Sequence, residues 1–245
     1  SIMSDLSGKV AIITGASRGI GFGLAQALLD AGCRVGICSR DLNGITDAAI
    51  RLTAAADRIM SLAVDVSSEV DVQKLFDEVT TIFGPPDIVV NNAGAFDGGP
   101  VDTLSLEAWN NVVGSCLTGS FLCTRAAFAT MKPRGRGRIL NIGSISAQRP
   151  RENSSAYTAA KFGVQGLTYA TALEGRPYGI SVSCLHPGNV LVERRVESGL
   201  KSDDEPMMEV DSIVRAAMTM LTMPDNVNFL EAIVLPNQQL YVGRG

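Results

Sequence analysis

Tyr157 and Lys161 stand four residues apart in the stretch SSAYTAAKFG. On a helix, residues at that spacing share one face. A lysine ammonium beside a tyrosine hydroxyl favours the phenolate and lowers its pKa. Such a phenol can exchange a proton with a carbonyl or alcohol oxygen while the attached carbon gains or loses hydride. Ser144, thirteen residues earlier, lies at the C-terminal end of a short apolar run that reads as a strand. Its hydroxyl can hold the same oxygen and stabilise the charge that develops there. A Tyr-x3-Lys pair alone is ordinarily surface decoration, so its meaning depends on what the rest of the chain brings beside it.

The segment Thr14-Gly15-Ala16-Ser17-Arg18-Gly19-Ile20-Gly21 follows one predicted strand and opens a helix. Glycines at such a turn let the backbone approach a pyrophosphate, and the helix N-terminus supplies free N–H groups and a positive dipole end. The spacing departs from the usual G-x-G-x-x-G, so taken alone it suits a bare strand-to-helix turn as well as a dinucleotide loop. A second predicted strand ends in Cys38-Ser39-Arg40, where a dinucleotide fold meets the adenosine ribose. Arg40, with Arg18 nearby, suits a 2′-phosphate, so NADP(H) is expected in preference to NAD(H). Asp41 reads as the N-cap of the next helix rather than as a ribose carboxylate.

Seven short apolar runs serve as strands: 9–14, 34–38, 59–64, 87–90, 138–142, 180–185 and 232–235. Amphipathic stretches at 20–31, 42–56, 70–83, 106–131, 155–176 and 211–223 lie between them. This alternation predicts an α/β fold, a Rossmann-like doubly wound parallel sheet of about seven strands with helices on both faces, in a single domain. The segment 189–209 breaks the rhythm, carries many charges and follows a strand end; it is expected to be a substrate lid.

The chain has 245 residues, 46% apolar and 19% charged, with a net charge of −4. That composition excludes a disordered chain and lacks the basic footprint of a nucleic-acid binder. No run of about 20 mostly apolar residues suggests a membrane span. One His and five scattered Cys offer no metal cluster. Reduced thiols and the absence of a signal region make a cytoplasmic location the expectation. His186 has no acidic residue near it in sequence and reads as a packed strand-end histidine.

The motifs TGASRGIG (14–21), Asp65-Val66, NNAG (91–94), Ser144, Tyr157-x3-Lys161 and Pro187-Gly188 together resemble the short-chain dehydrogenase/reductase family, in its compact branch of about 250 residues. The resemblance implies Tyr157 as general acid/base, Lys161 on the nicotinamide ribose, and Ser144 orienting the substrate. The glycine loop, with Gly15, Ser17, Gly19, Ile20 and Gly21, falls at the pyrophosphate, and Arg18, Ser39 and Arg40 fall at the adenosine ribose and its 2′-phosphate. Asp65 and Val66 fall at the adenine, Asn91, Ala93 and Gly94 along the ribose side, and Pro187, Gly188 and Val190 beside the nicotinamide. Substrate is expected against Phe96, Ser144, Ser146, Gln148, Tyr157 and Asn189, with Arg149, Arg151, Arg194 and Arg195 on nearby loops.

Three positions depart from the family pattern. Cys116 stands where an Asn usually supports a proton relay behind the lysine, largely through its carbonyl, so Cys116 joins the catalytic candidates. Val192 replaces a frequent Thr, and the C-terminus reads QLYVGRG in place of a frequent VDGG. The expected activity is NADP(H)-dependent interconversion of a ketone and a secondary alcohol on a small, partly hydrophobic molecule. A 3-oxoacyl-(acyl carrier protein) reductase is the alternative, weakened because Leu173 rather than Arg precedes Glu174. A catalytically quiet NADP-binding regulator is the other. The family also leads us to expect a homotetramer or homodimer on helices 106–131 and 155–176, with Gly119, Ala126, Ala159 and Gly163 as small contact residues.

Overall fold

A computed structural model describes residues 4–192 and 205–242 of the chain. Its centre is a seven-stranded sheet in which every pairing is parallel. The strands are β1 (Val10–Thr14), β2 (Arg34–Ser39), β3 (Ile59–Ala63), β4 (Ile88–Asn91), β5 (Gly137–Ile142), β6 (Ile180–Pro187) and β9 (Glu231–Val234). Two more, β7 (Val190–Leu191) and β8 (Met208–Glu209), pair only with each other. In the large sheet the order is β3-β2-β1-β4-β5-β6-β9. The chain therefore winds outward from β1 to β3 and then returns to β1's other side with β4. Open α/β sheets bind ligands in the crevice that this reversal leaves at the carboxyl ends of the strands.

Alternation along the strands serves two apolar layers. Ala11 and Ile13 of β1 face one layer, and Val10 and Ile12 face the other. The first layer is closed by helices α1 (Gly19–Asp30), α2 (Leu42–Arg51) and α7 (Val210–Leu221), through residues such as Leu24, Leu28, Ile45 and Ile213. The second is closed by α3 (Glu69–Phe83) and α5 (Gly119–Met131), through Leu75, Phe76, Leu122 and Met131. A smaller cluster joins α4 (Leu106–Val113) to α6 (Ser155–Gly175) through Val112, Ala156 and Ala160. Continuous apolar strands of this kind are what a sheet covered on both faces requires.

The predicted helix over 106–131 is interrupted. Gly114–Thr118 form a π-helical turn between α4 and α5 and carry Cys116. The run Leu106–Arg134 is long and apolar enough to cross a membrane by length and composition, contrary to the sequence expectation, but about half of its apolar window is buried within the protein. It packs as a core helix.

Two glycines named among the small contact residues of the two long helices are closely packed within the chain. A Cβ on Gly119 would lie 2.5 Å from Val66 Cγ2, and one on Gly163 would lie 2.6 Å from Leu117 Cδ2. A side chain at either position would displace these neighbours.

Candidate active site

The glycine turn forms at the carboxyl end of β1. Gly15 and Gly19 have φ of +62° and +60°, which L side chains rarely adopt. A Cβ on Gly15 would also lie 2.7 Å from Ala93 Cα, and one on Gly21 would lie 2.4 Å from Gly15 O. The loop is therefore pressed onto the end of β4, and side-chain hydrogen bonds hold it there. Thr14 Oγ1 accepts from the backbone N–H groups of Asn92 and Ala93, each at 3.0 Å, and Asn92 Nδ2 donates to Gly15 O at 2.9 Å. Thr14 and Asn92 are thus structural partners of the loop that the motif reading quoted without assigning a role. The threonine before the first glycine and the doubled asparagine were the available signal. Such a backbone cradle, at a helix N-terminus and a topological reversal, fits a dinucleotide pyrophosphate.

At the end of β2, Asp41 caps α2 as expected, accepting from Asn43 N–H and Gly44 N–H. Arg40 is exposed and donates to Asn111 Oδ1 at 2.9 Å. Arg51, unassigned in the sequence, reaches across from α2 to donate to Ser17 O at 2.8 Å. Hydrogen bonds from Ser67 hold the Asp65 carboxyl below its usual pKa, with Arg40 adding to the effect. Ser39 lies close by, its hydroxyl on Asp41 O. Asn91 differs from expectation in one respect. Its amide donates to Asn141 Oδ1 at 2.9 Å and to Thr124, so its side chain is engaged in the core.

On the other side of the reversal, α6 brings Lys161 under Tyr157. The lysine is buried, and its Nζ donates to Ile142 O at 2.9 Å while lying 5.5 Å from the centre of the Tyr157 ring. Ile142 ends β5 two residues before Ser144, so the strand end carries the serine and anchors the lysine. Burial penalises the Lys161 ammonium. Its electrostatic coupling to the ionisable side chains of Tyr157, then Cys116 and Cys184, outweighs that penalty, and its pKa is raised. Cys116 is buried, donates weakly to Ala95 O at 3.5 Å, and accepts at its carbonyl from Ser120 Oγ at 2.8 Å. Gly94 leaves room for that thiol, since a Cβ there would lie 3.2 Å from Cys116 Sγ. Phe96 meets the Tyr157 ring edge-on, with centroids 5.3 Å apart.

Several residues expected to contact substrate also make hydrogen bonds within the protein. Ser146 N–H donates to Ser144 Oγ at 3.1 Å. Gln148 bridges Glu231 and Tyr241, donating to the first at 3.1 Å and accepting from the second. Asn189 is buried; its side chain binds Arg151 and Glu205, and its backbone N–H donates to Gln239 Oε1 at 2.8 Å. Gly188 is closed in by the same Gln239, whose Oε1 would lie 2.4 Å from a Cβ. Val190 is buried in β7. Of the expected lid, residues 193–204, with Arg194 and Arg195, lie outside the described residues.

His186 is packed as expected, with no exposed surface, but it does have an acidic partner. Its Nε2 lies 2.9 Å from Glu231 Oε1. The two are 45 residues apart in sequence and meet because β9 pairs with β6. Burial pushes the imidazole below its usual pKa, against the pull of that carboxylate.

The sequence profile of the short chain dehydrogenases matches residues 9–202. The chain belongs to that family. An oxidoreductase of Staphylococcus aureus (strain MRSA252) is 29% identical over 234 residues, covering 96% of this chain and all of that one. A 3-alpha-(or 20-beta)-hydroxysteroid dehydrogenase of Mycobacterium tuberculosis is 37% identical over 187 residues, covering 76% of this chain and 70% of that one. Among solved structures, a putative gluconate dehydrogenase from Agrobacterium tumefaciens superposes with a TM-score of 0.86 at 30% identity, over 96% of this chain and 97% of that one. A 3-ketoacyl-(acyl-carrier-protein) reductase from Brucella melitensis, complexed with NADH, gives 0.85 at 31% identity, over 94% of this chain and 98% of that one. As a family member, the chain is an oxidoreductase acting on CH–OH or C=O groups with a nicotinamide cofactor.

Proposed function

We propose that this short-chain dehydrogenase is an NADP(H)-dependent carbonyl reductase type enzyme acting on a small, partly hydrophobic ketone or secondary alcohol. The observation that carries this reading is the buried Lys161, fastened to the end of β5 beneath Tyr157 and two residues from Ser144. The nicotinamide, when bound, supplies or accepts hydride. Tyr157 gives the substrate oxygen its proton in reduction and takes it back in oxidation. The Lys161 charge stabilises negative charge on the Tyr157 oxygen, and the Ser144 hydroxyl donates to the substrate oxygen as charge builds on it.

Gly15 to Gly21 hold the pyrophosphate through backbone N–H groups, and Asp65 and Val66 border the adenine. Arg18 and Arg40 face the 2′-phosphate and favour NADP(H). The NADH in the Brucella structure is that protein's own ligand. Phe96, half exposed against Tyr157, gives the pocket an apolar wall. The hydroxysteroid dehydrogenase relative supports a hydrophobic secondary alcohol. The chain works as one domain with its lid at 189–209. Exposed Phe121, Phe162 and Leu173 on α5 and α6 support association into a homodimer or homotetramer. The buried, unpaired thiols suit a cytoplasmic setting.

The test is NADPH oxidation across ketones, diketones, acyl thioesters and keto sugars, with Tyr157→Phe as control. Turnover with hydrophobic ketones that Tyr157→Phe abolishes is the expected result. Turnover confined to acyl thioesters would make the chain a 3-oxoacyl reductase. Tight nucleotide binding with no turnover on any of them would make it a regulator, and a clear preference for NADH would overturn the role given to Arg18 and Arg40.

A further inference from the structure

The polar cluster around His186 lies outside the proton-transfer set, yet it grips the backbone of Ser144. One ring nitrogen, Nδ1, lies 3.3 Å from Ser144 N and 3.0 Å from Ser144 O. The other is held by Glu231 at 2.9 Å. Space for the ring against this backbone comes from Gly143, where a Cβ would lie 2.4 Å from Nδ1. Glu231 is itself fixed from three elements besides its own strand. It accepts from His186 on β6, from Gln148 in the turn after β5, and from Tyr169 on α6. Gln148 in turn accepts from Tyr241 in the C-terminal tail.

A carboxylate facing Nε2 selects the tautomer with its proton on Nε2, which leaves Nδ1 as an acceptor. Ser144 N–H, at 3.3 Å, is then the backbone donor to Nδ1, with the Cys184 thiol 3.9 Å away. When Nδ1 also carries a proton it donates instead to Ser144 O at 3.0 Å, so in either state the ring is tied to the Ser144 backbone. Two constraints then act on this residue: the imidazole holds its peptide, and Ser146 N–H holds its Oγ at 3.1 Å. A buried imidazole and a partly buried carboxylate are costly to keep dry, and in some proteins such networks serve to specify one arrangement.

We propose that His186 and Glu231 are a positioning pair for Ser144, aiming its hydroxyl at the substrate oxygen, with Gln148 and Tyr241 bracing the pair from the C-terminal tail. This rests on the reading of Ser144 as the residue that holds that oxygen. In this reading the pair acts on the reaction through the serine.

The full chain is assayed with NADPH and the best ketone of the panel, in parallel with hydrogen exchange of the peptides covering 143–148 and 14–21. We expect His186→Leu to lower kcat by about ten- to a hundredfold, the scale on which small misplacements of catalytic groups act. Affinity for NADPH is expected to hold, and exchange to rise over 143–148 but not over 14–21. His186→Asn, which restores an acceptor toward Ser144 N–H, recovers most of the loss. If His186→Leu does not fold, Glu231→Gln against Glu231→Leu decides: Gln keeps an acceptor for Nε2–H and keeps the rate, and Leu loses it. Equal kinetics for all these variants, or equal loosening of both peptides, overturns the proposal. Ser144→Ala separates the two levels. Full activity in that variant removes the role given to the serine. Lost activity there, with His186→Leu unaffected, removes the positioning pair alone. Exchange over 143–148 decides the pair even if no ketone in the panel is turned over.

Discussion

The two sides of the strand reversal are built in opposite ways. On the β1–β2 side the candidate nucleotide cradle is mostly backbone: positive-φ glycines, a helix N-terminus, and exposed arginines at the rim. On the β5–β6–β9 side it is buried side chains, with Lys161 and His186 almost without exposed surface and each tied to strand-end backbone. A cradle made of absent side chains is damaged by adding atoms. A cluster made of buried polar groups is damaged by removing them, because each deletion leaves a partner unsatisfied.

The largest effect should come from a removal. Tyr157→Phe deletes one oxygen and should lower kcat about a thousandfold, within the usual range for a general acid/base, with the melting temperature little changed. Lys161→Ala should cost about a hundredfold in kcat, as loss of a preorganised electrostatic group does. It should also lower stability, since Ile142 O loses its donor in the interior; steady-state kinetics and thermal melts read both.

On the other side, Gly15→Ala adds a methyl 2.7 Å from Ala93 Cα at φ +62°. Left-handed strain and overpacking together should cost about 2–3 kcal/mol, visible as a lower denaturant midpoint, with weaker NADPH affinity. Arg40→Ser should leave folding intact and reduce the preference for NADPH over NADH about tenfold, the worth of one charge-assisted hydrogen bond. An unchanged cofactor ratio would remove Arg40 from the phosphate site.

The smallest effect is expected at Cys116→Asn, which should keep or raise turnover, because the backbone carbonyl at 116 is retained. A collapse of turnover in a well-folded variant would show that the thiol itself matters.

The same contrast explains what was legible in the sequence. Strand ends and the glycine loop could be read because their cause is local: apolar runs, a turn, and a cap such as Asp41. Tyr157 and Lys161 could be read because four residues of helix suffice to align them. The Glu231 partner of His186 could not be read, because it depends on β9 pairing with β6, and no local pattern encodes that pairing. Gln148 and Asn189 are legible as pocket candidates because they follow strand ends; their partners are not. Their hydrogen bonds to Glu231, Tyr241, Glu205 and Gln239 come from elements distant in sequence. The π-helical turn at 114–118 was likewise hidden inside an unbroken helical pattern.

The cysteines put a reporter on each side. All five are buried, and burial pushes the Cys38 and Cys184 thiols up to about 12. Cys38 lies in β2 beside the glycine loop, and Cys184 lies in β6 beneath the serine end. A thiol reagent therefore reacts with either one only when that part of the sheet opens, so the two labelling rates compare the local opening free energies of the two sides. Bound nucleotide should slow the reaction at Cys38 more than at Cys184, giving a measure of cofactor engagement that needs no substrate.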